Sequence, residues 1–354
     1  MANHFGYDVV IVTSEGLGRS PFFELSPKVK VIDIDTPIDV GLPKKRITKL
    51  FILPWRYLKF KRRFIATLFR ERPQITISTL RRELLFINRV KDGSVKIGEF
   101  HITRGVYHTN STTSNLPFAK LLKRALEKRF LKNLSNLTKV VLLTKEEQQR
   151  WPELHNTIVI YNPLTIECEK SSTTSAPIVM AVGRYSWQKG FDLLIEAWSR
   201  VAIKAPEWRL NIYGEGNDQE LKALIKRYSL QESCSLLPPV TNIARNYSES
   251  SIFVLSSRYE GFGMVLCEAM ACGVPVVSFD CSSGPKEIIT DGQDGLLVES
   301  ENIEALAQKI LYLIERPQLR REMGAAARKN SSRFSQQTIM EQWRDLFENL
   351  IDEQ

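Results

Sequence analysis

Two carboxylates stand eight residues apart in the run RYEGFGMVLCEAMACGVPVVSFD, residues 258–280. Glu260 comes just before a Gly-Phe-Gly, and Glu268 sits inside an apolar stretch. The glycines let the backbone approach a ligand closely. The apolar residues that follow predict a helix starting near Met264 and stopped by Gly273 and Pro275. Its first N–H groups have no intrahelical partner and carry partial positive charge, which suits a phosphate. Glu260 then lies on the loop and Glu268 about one turn inside the helix. The carboxylates reach one cleft from two levels, with N–H groups between them. A ligand with hydroxyls at both ends and a diphosphate in the middle matches this order, and a nucleotide sugar has that shape.

A second anion site is expected after the strand-like IVMAV. There Gly183-Arg184 is followed by Lys189-Gly190 and a further helix. Arg offers forked donors to phosphate oxygens, and Lys a mobile charge. A third loop, DCSSGPKEIITDGQDGLLV, carries Lys286 and Glu287 and ends in turn chemistry, for which a structural role is sufficient.

These loops need strands to position them. Apolar runs of four to seven residues alternate with helical patterns almost throughout, which implies parallel sheets covered on both faces. Strands are read at 7–14, 28–35, 74–79, 94–100, 139–144 and 157–163, with helical patterns before Arg72 and at 81–91 and 117–135. Residues 165–177 are polar and aperiodic and read as a linker, after which the same rhythm restarts. The expected architecture is α/β: two doubly wound Rossmann-like domains facing a cleft, over 1–164 and 178–334. Residues 335–354 add an amphipathic helix with Ile339, Trp343, Leu346 and Phe347 on one face.

Charge is divided unevenly along the chain. The net +9 splits into +14 over residues 1–170 and −5 over 171–354. Basic clusters fall at Lys44, Lys45, Arg46, Lys49, at Arg56, Lys59, Lys61, Arg62, Arg63, and at Lys120, Lys123, Arg124, Lys128, Arg129, Lys132. Solvated helix faces explain such clusters, and so does an anionic partner: a phosphorylated acceptor or an anionic membrane surface. Without zinc spacing or an RNA-binding aromatic signature, nucleic acid is not the expected partner. No apolar run is long enough to span a bilayer, and the N-terminus is a poor signal peptide. The five cysteines have no C-x-x-C spacing, so free thiols in a reducing, cytoplasmic compartment are expected.

With these motifs in place the chain resembles the retaining glycosyltransferases of family 4, which have the GT-B fold. EGFGMVLCE is similar to that family's Glu-x7-Glu motif. VGRYSWQKGFDLLIEA, LNIYGEG, ACGVPVVSFDC and DGQDGLLV match in order and spacing over residues 178–334. ISTLRRELLFIN and IGEFH resemble members that build bacterial surface polysaccharides such as lipopolysaccharide or capsule. The resemblance implies a nucleotide-diphosphate-sugar donor, with a UDP-sugar as default, and a growing glycan or lipid-linked acceptor at the inner face of the cell membrane. It makes the protein a hexosyltransferase-type transferase, peripheral to that membrane. Arg184 and Lys189 match the residues that neutralise the diphosphate. Glu268 matches the ribose ligand and Glu260 the carboxylate near the donor sugar. The backbone of Gly261, Phe262, Gly263, Met264 and Val265 matches the loop that touches sugar and phosphate. No metal or other cofactor is expected. A first-domain His near the donor sugar is also implied: His101 is the candidate, with His108 in reserve. The family's terminal helix crosses back to the first domain.

Members of that family open with a strand, a glycine-rich loop and a helix before the GYDVVIVT strand, and here MANHFG stands where that helix would end. The N-terminal domain is therefore expected to be incomplete, through a start placed downstream of the true one, a truncated gene, or another segment filling the gap. Two alternative readings follow: a sugar-nucleotide-binding protein without turnover, and a GT-B epimerase, which would convert donor without any acceptor.

Overall fold

The computed structural model describes residues 1–16, 24–38, 46–101, 103–104 and 117–353. Its strands are β1 (Val9–Thr13), β2 (Val29–Asp33), β3 (Ile75–Ser78), β4 (Val95–Phe100), β5 (Lys139–Leu142), β6 (Thr157–Val159), β7 (Ile178–Val182), β8 (Arg209–Tyr213), β9 (Cys234–Leu237), β10 (Ile252–Leu255), β11 (Val276–Phe279) and β12 (Gly295–Val298). Every pairing is parallel. The second half forms a six-stranded sheet of order β12-β11-β10-β7-β8-β9. Order reverses between β7 and β10, so a crevice opens where their carboxyl ends diverge.

Burial explains why this half reads so clearly. All four residues of β10 and of β11 are buried, because helices cover both faces of the sheet. One core packs Trp198, Leu194 and Ile195 of the helix Phe191–Lys204 against β7, β8 and β10. The opposite core packs Leu266, Cys267 and Met270 of the helix Met264–Ala271 against Phe253, Leu255 and Val276.

The first half contains a four-stranded sheet, β3-β4-β5-β6, and a separate two-stranded sheet, β1-β2. Val10, Ile11 and Val31 of the small sheet each keep more than a third of their surface exposed. The helix Gln336–Asp352 lies against the four-stranded sheet, burying Ile339, Trp343, Leu346, Phe347 and Leu350 beside Val95, Ile97, Val141 and Ile160.

Three expectations change. Residues 81–91 do not form one helix but two 3-10 turns, Arg82–Leu85 and Ile87–Arg89. The cause is local: Leu80 has φ of +58°, and the buried Glu83 carboxylate accepts from the Ser78 hydroxyl and the Arg81 N–H. The helix Pro317–Ser331, absent from the sequence reading, follows the β12 unit. Cys168 and Cys272 are joined in a disulfide with Cα atoms 5.2 Å apart, leaving Cys234, Cys267 and Cys281 free. The polar linker folds back onto the end of the helix Met264–Ala271, where the Ser172 N–H donates to the Cys272 carbonyl at 2.8 Å. Spacing along the chain carries no trace of that return.

Candidate active site

Lys189 is placed by backbone geometry. After β7 the chain passes through a 3-10 turn, Trp187–Lys189, into Gly190 at φ +61°. A Cβ at Gly190 would lie 2.0 Å from the Ser256 carbonyl oxygen, so only glycine fits between the ends of β7 and β10. The Ser256 hydroxyl then donates to the Lys189 carbonyl at 3.0 Å. In that position Lys189 Nζ lies 2.7 Å from Glu260 Oε1. Ser257 Oγ donates to the same oxygen at 2.6 Å. The cation expected on the diphosphate and the carboxylate expected on the sugar are therefore each other's partner. Both contacts use Oε1; among the described residues nothing bonds Oε2.

The loop after Glu260 opens the helix Met264–Ala271 at the predicted residue. Gly263 caps it at φ +98° with no side-chain acceptor, so the first N–H groups stay available. Phe262 points away from the opening: it is 3% exposed, stacks on Tyr161 at 5.5 Å and meets Phe334 edge-on at 5.6 Å. A cavity of about 240 Å³ is lined by Lys189, by Glu260 to Val265 and, from the first half, by His101, Leu143 and Asn162.

Glu268 sits on a half-buried helix face because Tyr247 meets it there. The fully buried Tyr247 hydroxyl donates to Glu268 Oε2 at 3.0 Å. Burial holds the Glu268 carboxyl above its ordinary value, while the Tyr247 bond and the Lys189 charge pull it back. Burial and the Glu268 charge together push the Tyr247 phenol well up. Glu268 is outside the cavity lining but within the field of Lys189. Arg184 is exposed, makes no ion pair among the described residues and does not line the cavity.

His101 follows β4 and lies across from the loop: a Cβ at Gly261 would stand 3.1 Å from its carbonyl oxygen. Its Nε2 is 3.4 Å from Glu99 Oε1, and that hydrogen bond raises its pKa against an opposing desolvation. His108 lies outside the described residues.

The third loop holds the two halves together, a role its sequence did not disclose. Glu287 accepts from the Tyr161 hydroxyl at 2.9 Å and from the Glu146 N–H at 3.0 Å. The Ser283 N–H donates to Glu146 at 3.1 Å and its hydroxyl to Glu147 at 3.2 Å. Burial and Glu287 push the Tyr161 phenol up to about 12. Tyr247, Ser257, Asn162, Glu146, Glu147, Tyr161 and Ser283 were not singled out from sequence, whereas Glu287 was named with the third loop; the sole local signal is Ser257, three residues before Glu260.

The chain has the GT-B fold. Residues 166–330 match the family model of glycosyl transferases group 1, which covers every cavity residue from the second half but not His101. An uncharacterized glycosyltransferase of Haemophilus influenzae is 29% identical over 346 residues, 96% of this chain and 91% of the relative. The amylovoran biosynthesis glycosyltransferase AmsD of Erwinia amylovora is 34% identical over 219 residues, 59% of this chain and 61% of AmsD. Among solved structures, S. aureus TarM, crystallised as a mutant with fondaparinux, alpha-GlcNAc-glycerol and UDP, is 28% identical with a TM-score of 0.60. That likeness covers 73% of this chain and 51% of TarM.

Proposed function

We propose that this chain is a retaining glycosyltransferase that moves a sugar from a UDP-sugar to a growing surface glycan or lipid-linked acceptor, without a metal ion. The Lys189–Glu260 pair carries the reading, because it stands in one cavity with an uncapped helix start and with His101 of the other domain. Glu260 uses one oxygen on protein partners, so its other oxygen can accept a sugar hydroxyl. An ammonium has three donors, and Lys189 keeps the remaining ones for the phosphates. Arg184 adds an exposed guanidinium outside the cavity, with no ion pair among the described residues, and Glu268 a carboxylate for the ribose hydroxyls. UDP is favoured by the TarM complex, and a surface polymer by the AmsD relative.

In the proposed step the bond from the anomeric carbon to the phosphate oxygen breaks, its electron pair leaving with the diphosphate. The acceptor oxygen bonds that carbon on the same face, and its proton passes to the leaving phosphate. Lys189 and the helix N–H groups stabilise the charge that develops there. Closure of the cleft excludes water, which limits hydrolysis of the donor.

The test is nucleotide diphosphate release from UDP-, GDP- and ADP-sugars with a glycan acceptor, with and without EDTA, and anomeric assignment of the product by NMR. UDP-sugars should turn over with EDTA present, the product should keep the donor's anomeric configuration, and Glu260→Gln should cost about 100-fold or more. Full turnover by Glu260→Gln rejects the site, and an inverted product rejects the stereochemistry.

A further inference from the structure

Lys189 sits on a short turn, and what holds that turn is Arg258, the residue that opens the run RYEGFG just before Glu260. Three consecutive carbonyls of the turn are fixed by the segment leaving β10. The Lys189 carbonyl accepts from the Ser256 hydroxyl at 3.0 Å, the Gln188 carbonyl from the Arg258 N–H at 2.8 Å, and the Trp187 carbonyl from Arg258 Nη1 at 2.7 Å. In return, Gln188 Nε2 donates to the Tyr259 carbonyl at 3.0 Å. The bond between backbones survives any substitution at 258, whereas the bond to Trp187 depends on the arginine side chain.

The guanidinium is built into the fold. The Arg258 side chain is 8% exposed. Its Nη1 and Nη2 donate to Asp192 Oδ1 and Oδ2 at 2.9 and 2.6 Å, a fork against a carboxylate, and Nε donates to Glu301 Oε2 at 3.3 Å. With the Trp187 bond, four of the five N–H groups of the guanidinium are committed. Asp192 lies in the first turn of the helix Phe191–Lys204, so the helix that Lys189-Gly190 leads into also orients the arginine. The Trp187 indole lies over the guanidinium at 4.7 Å and is itself 69% exposed, which makes it the cover of this cluster. Shielding from water strengthens the bonds beneath it.

Arg258 does not line the cavity. An arginine so committed cannot turn to a phosphate without releasing Asp192 or the Trp187 carbonyl. What it controls is direction. Lys189 can stabilise developing charge only from where its turn puts it, and a misplacement of about 1 Å costs on the order of 100-fold in rate. We infer that Arg258 is a positioning residue for the transfer: its fork, oriented by Asp192, fixes the Trp187 carbonyl and thereby the direction of the Lys189 ammonium over Glu260. The inference rests on the proposed transfer reaction and adds a residue to that same site.

The experiment compares Arg258→Gln, Arg258→Lys and Asp192→Asn with the wild type in sugar-nucleotide turnover and in calorimetry. Asp192 and Glu301 keep 40% and 53% of their side chains exposed, so water takes over their charges and the variants should fold, which circular dichroism checks. Arg258→Gln should lower kcat about 100-fold and leave the donor KM nearly unchanged, the signature of an effect confined to the transition state. Arg258→Lys keeps the charge but not the fork, so it should recover little. Asp192→Asn weakens the fork from the other side, and its loss should not add to that of Arg258→Gln in the double variant. A second readout needs no turnover: the Lys189–Glu260 coupling, from the melting of Lys189→Met, Glu260→Gln and their double variant, should shrink in the Arg258→Gln background. If the wild type turns over no sugar nucleotide, the transfer reading fails and this coupling alone decides the positioning. Wild-type kcat together with wild-type coupling in Arg258→Gln overturns the inference. So does full recovery by Arg258→Lys, which makes the charge sufficient, and so does a raised donor KM at unchanged kcat, which makes Arg258 a donor ligand.

Discussion

The contact with the sharpest consequence is Lys189–Glu260, and Lys189→Met isolates it. Methionine keeps most of the stem volume and removes the charge. Glu260 would keep its Ser257 partner but lose its cation, while its side chain remains 8% exposed. Removing one member of a buried pair costs about 3–5 kcal/mol, because an uncompensated charge stays behind. Lys189 is itself 15% exposed, so water shares part of the load and about 2–3 kcal/mol is the expected loss. For a domain of this size each kcal/mol shifts the midpoint by roughly 2–4 °C, giving a fall of about 4–12 °C. Glu260→Gln should cost less, about 1 kcal/mol, since the ammonium can swing into solvent. The double variant Lys189→Met/Glu260→Gln should recover about 2 kcal/mol relative to the sum of the single changes. Calorimetry of the four proteins measures this, and donor turnover measured in parallel separates stability from catalysis. The recovered double variant should remain inactive, because both site groups are gone. Strictly additive melting temperatures, or turnover by the double variant, would refute the pairing as the core of the site.

Four further outcomes follow from the same geometry. The Glu268 carboxyl is raised in the folded state, so its contribution to stability is complete below the unfolded value near 4.5 and is lost as pH rises through the folded value; Glu268→Gln should flatten that slope in pH-dependent melts, and an unaltered slope would count against it. Glu99→Gln should shift the His101 titration, followed by ring NMR, to lower pH, because the hydrogen bond that raises it is gone. Glu287→Ala removes the acceptor for Tyr161 and the Glu146 N–H, so small-angle scattering should show a larger radius and assays a higher ratio of donor hydrolysis to transfer; equal radius and ratio would show that these bonds do not hold the domains. Gly190→Ala should cost about 2 kcal/mol or more and abolish UDP-induced stabilisation, since its Cβ would meet Ser256 O at 2.0 Å.

What could be read from the chain depended on whether a feature was local. Strands β7, β10 and β11 announce themselves because burial on both faces leaves apolar runs with no alternation. The start of the helix Met264–Ala271 is equally local, marked by Gly263 before an apolar turn. Residues 81–91 have helical composition, yet a buried carboxylate at Glu83 and one left-handed residue at Leu80 break them into two turns. The Cys168–Cys272 bond spans 104 residues and depends on where a linker docks, so no spacing rule could find it. The basic clusters were visible as charge, but only the fold shows that Arg89 shares the lining of one first-half cavity with Lys128, Arg129 and Lys132.

The site obeys the same logic at closer range. Lys189 and Glu260 are 71 residues apart, and each was legible as a ligand group while their pairing was not. The pairing arises because β7 and β10 are neighbours in the sheet and a glycine lets their loops touch. Backbone geometry therefore fixes the direction of the Glu260 carboxylate before any ligand arrives, which is what an electrostatically prepared site requires. Opening and closing must then be carried elsewhere. The segment 280–288, which the sequence offers only as a third loop with Lys286 and Glu287, supplies the groups that bond Glu146, Glu147 and Tyr161 across the cleft. The proposed donor contacts and the bonds across the cleft thus rest on different strand ends, β7 and β10 for the former and β11 for the latter. A substitution in the closing loop should change water exclusion without moving Lys189 or Glu260.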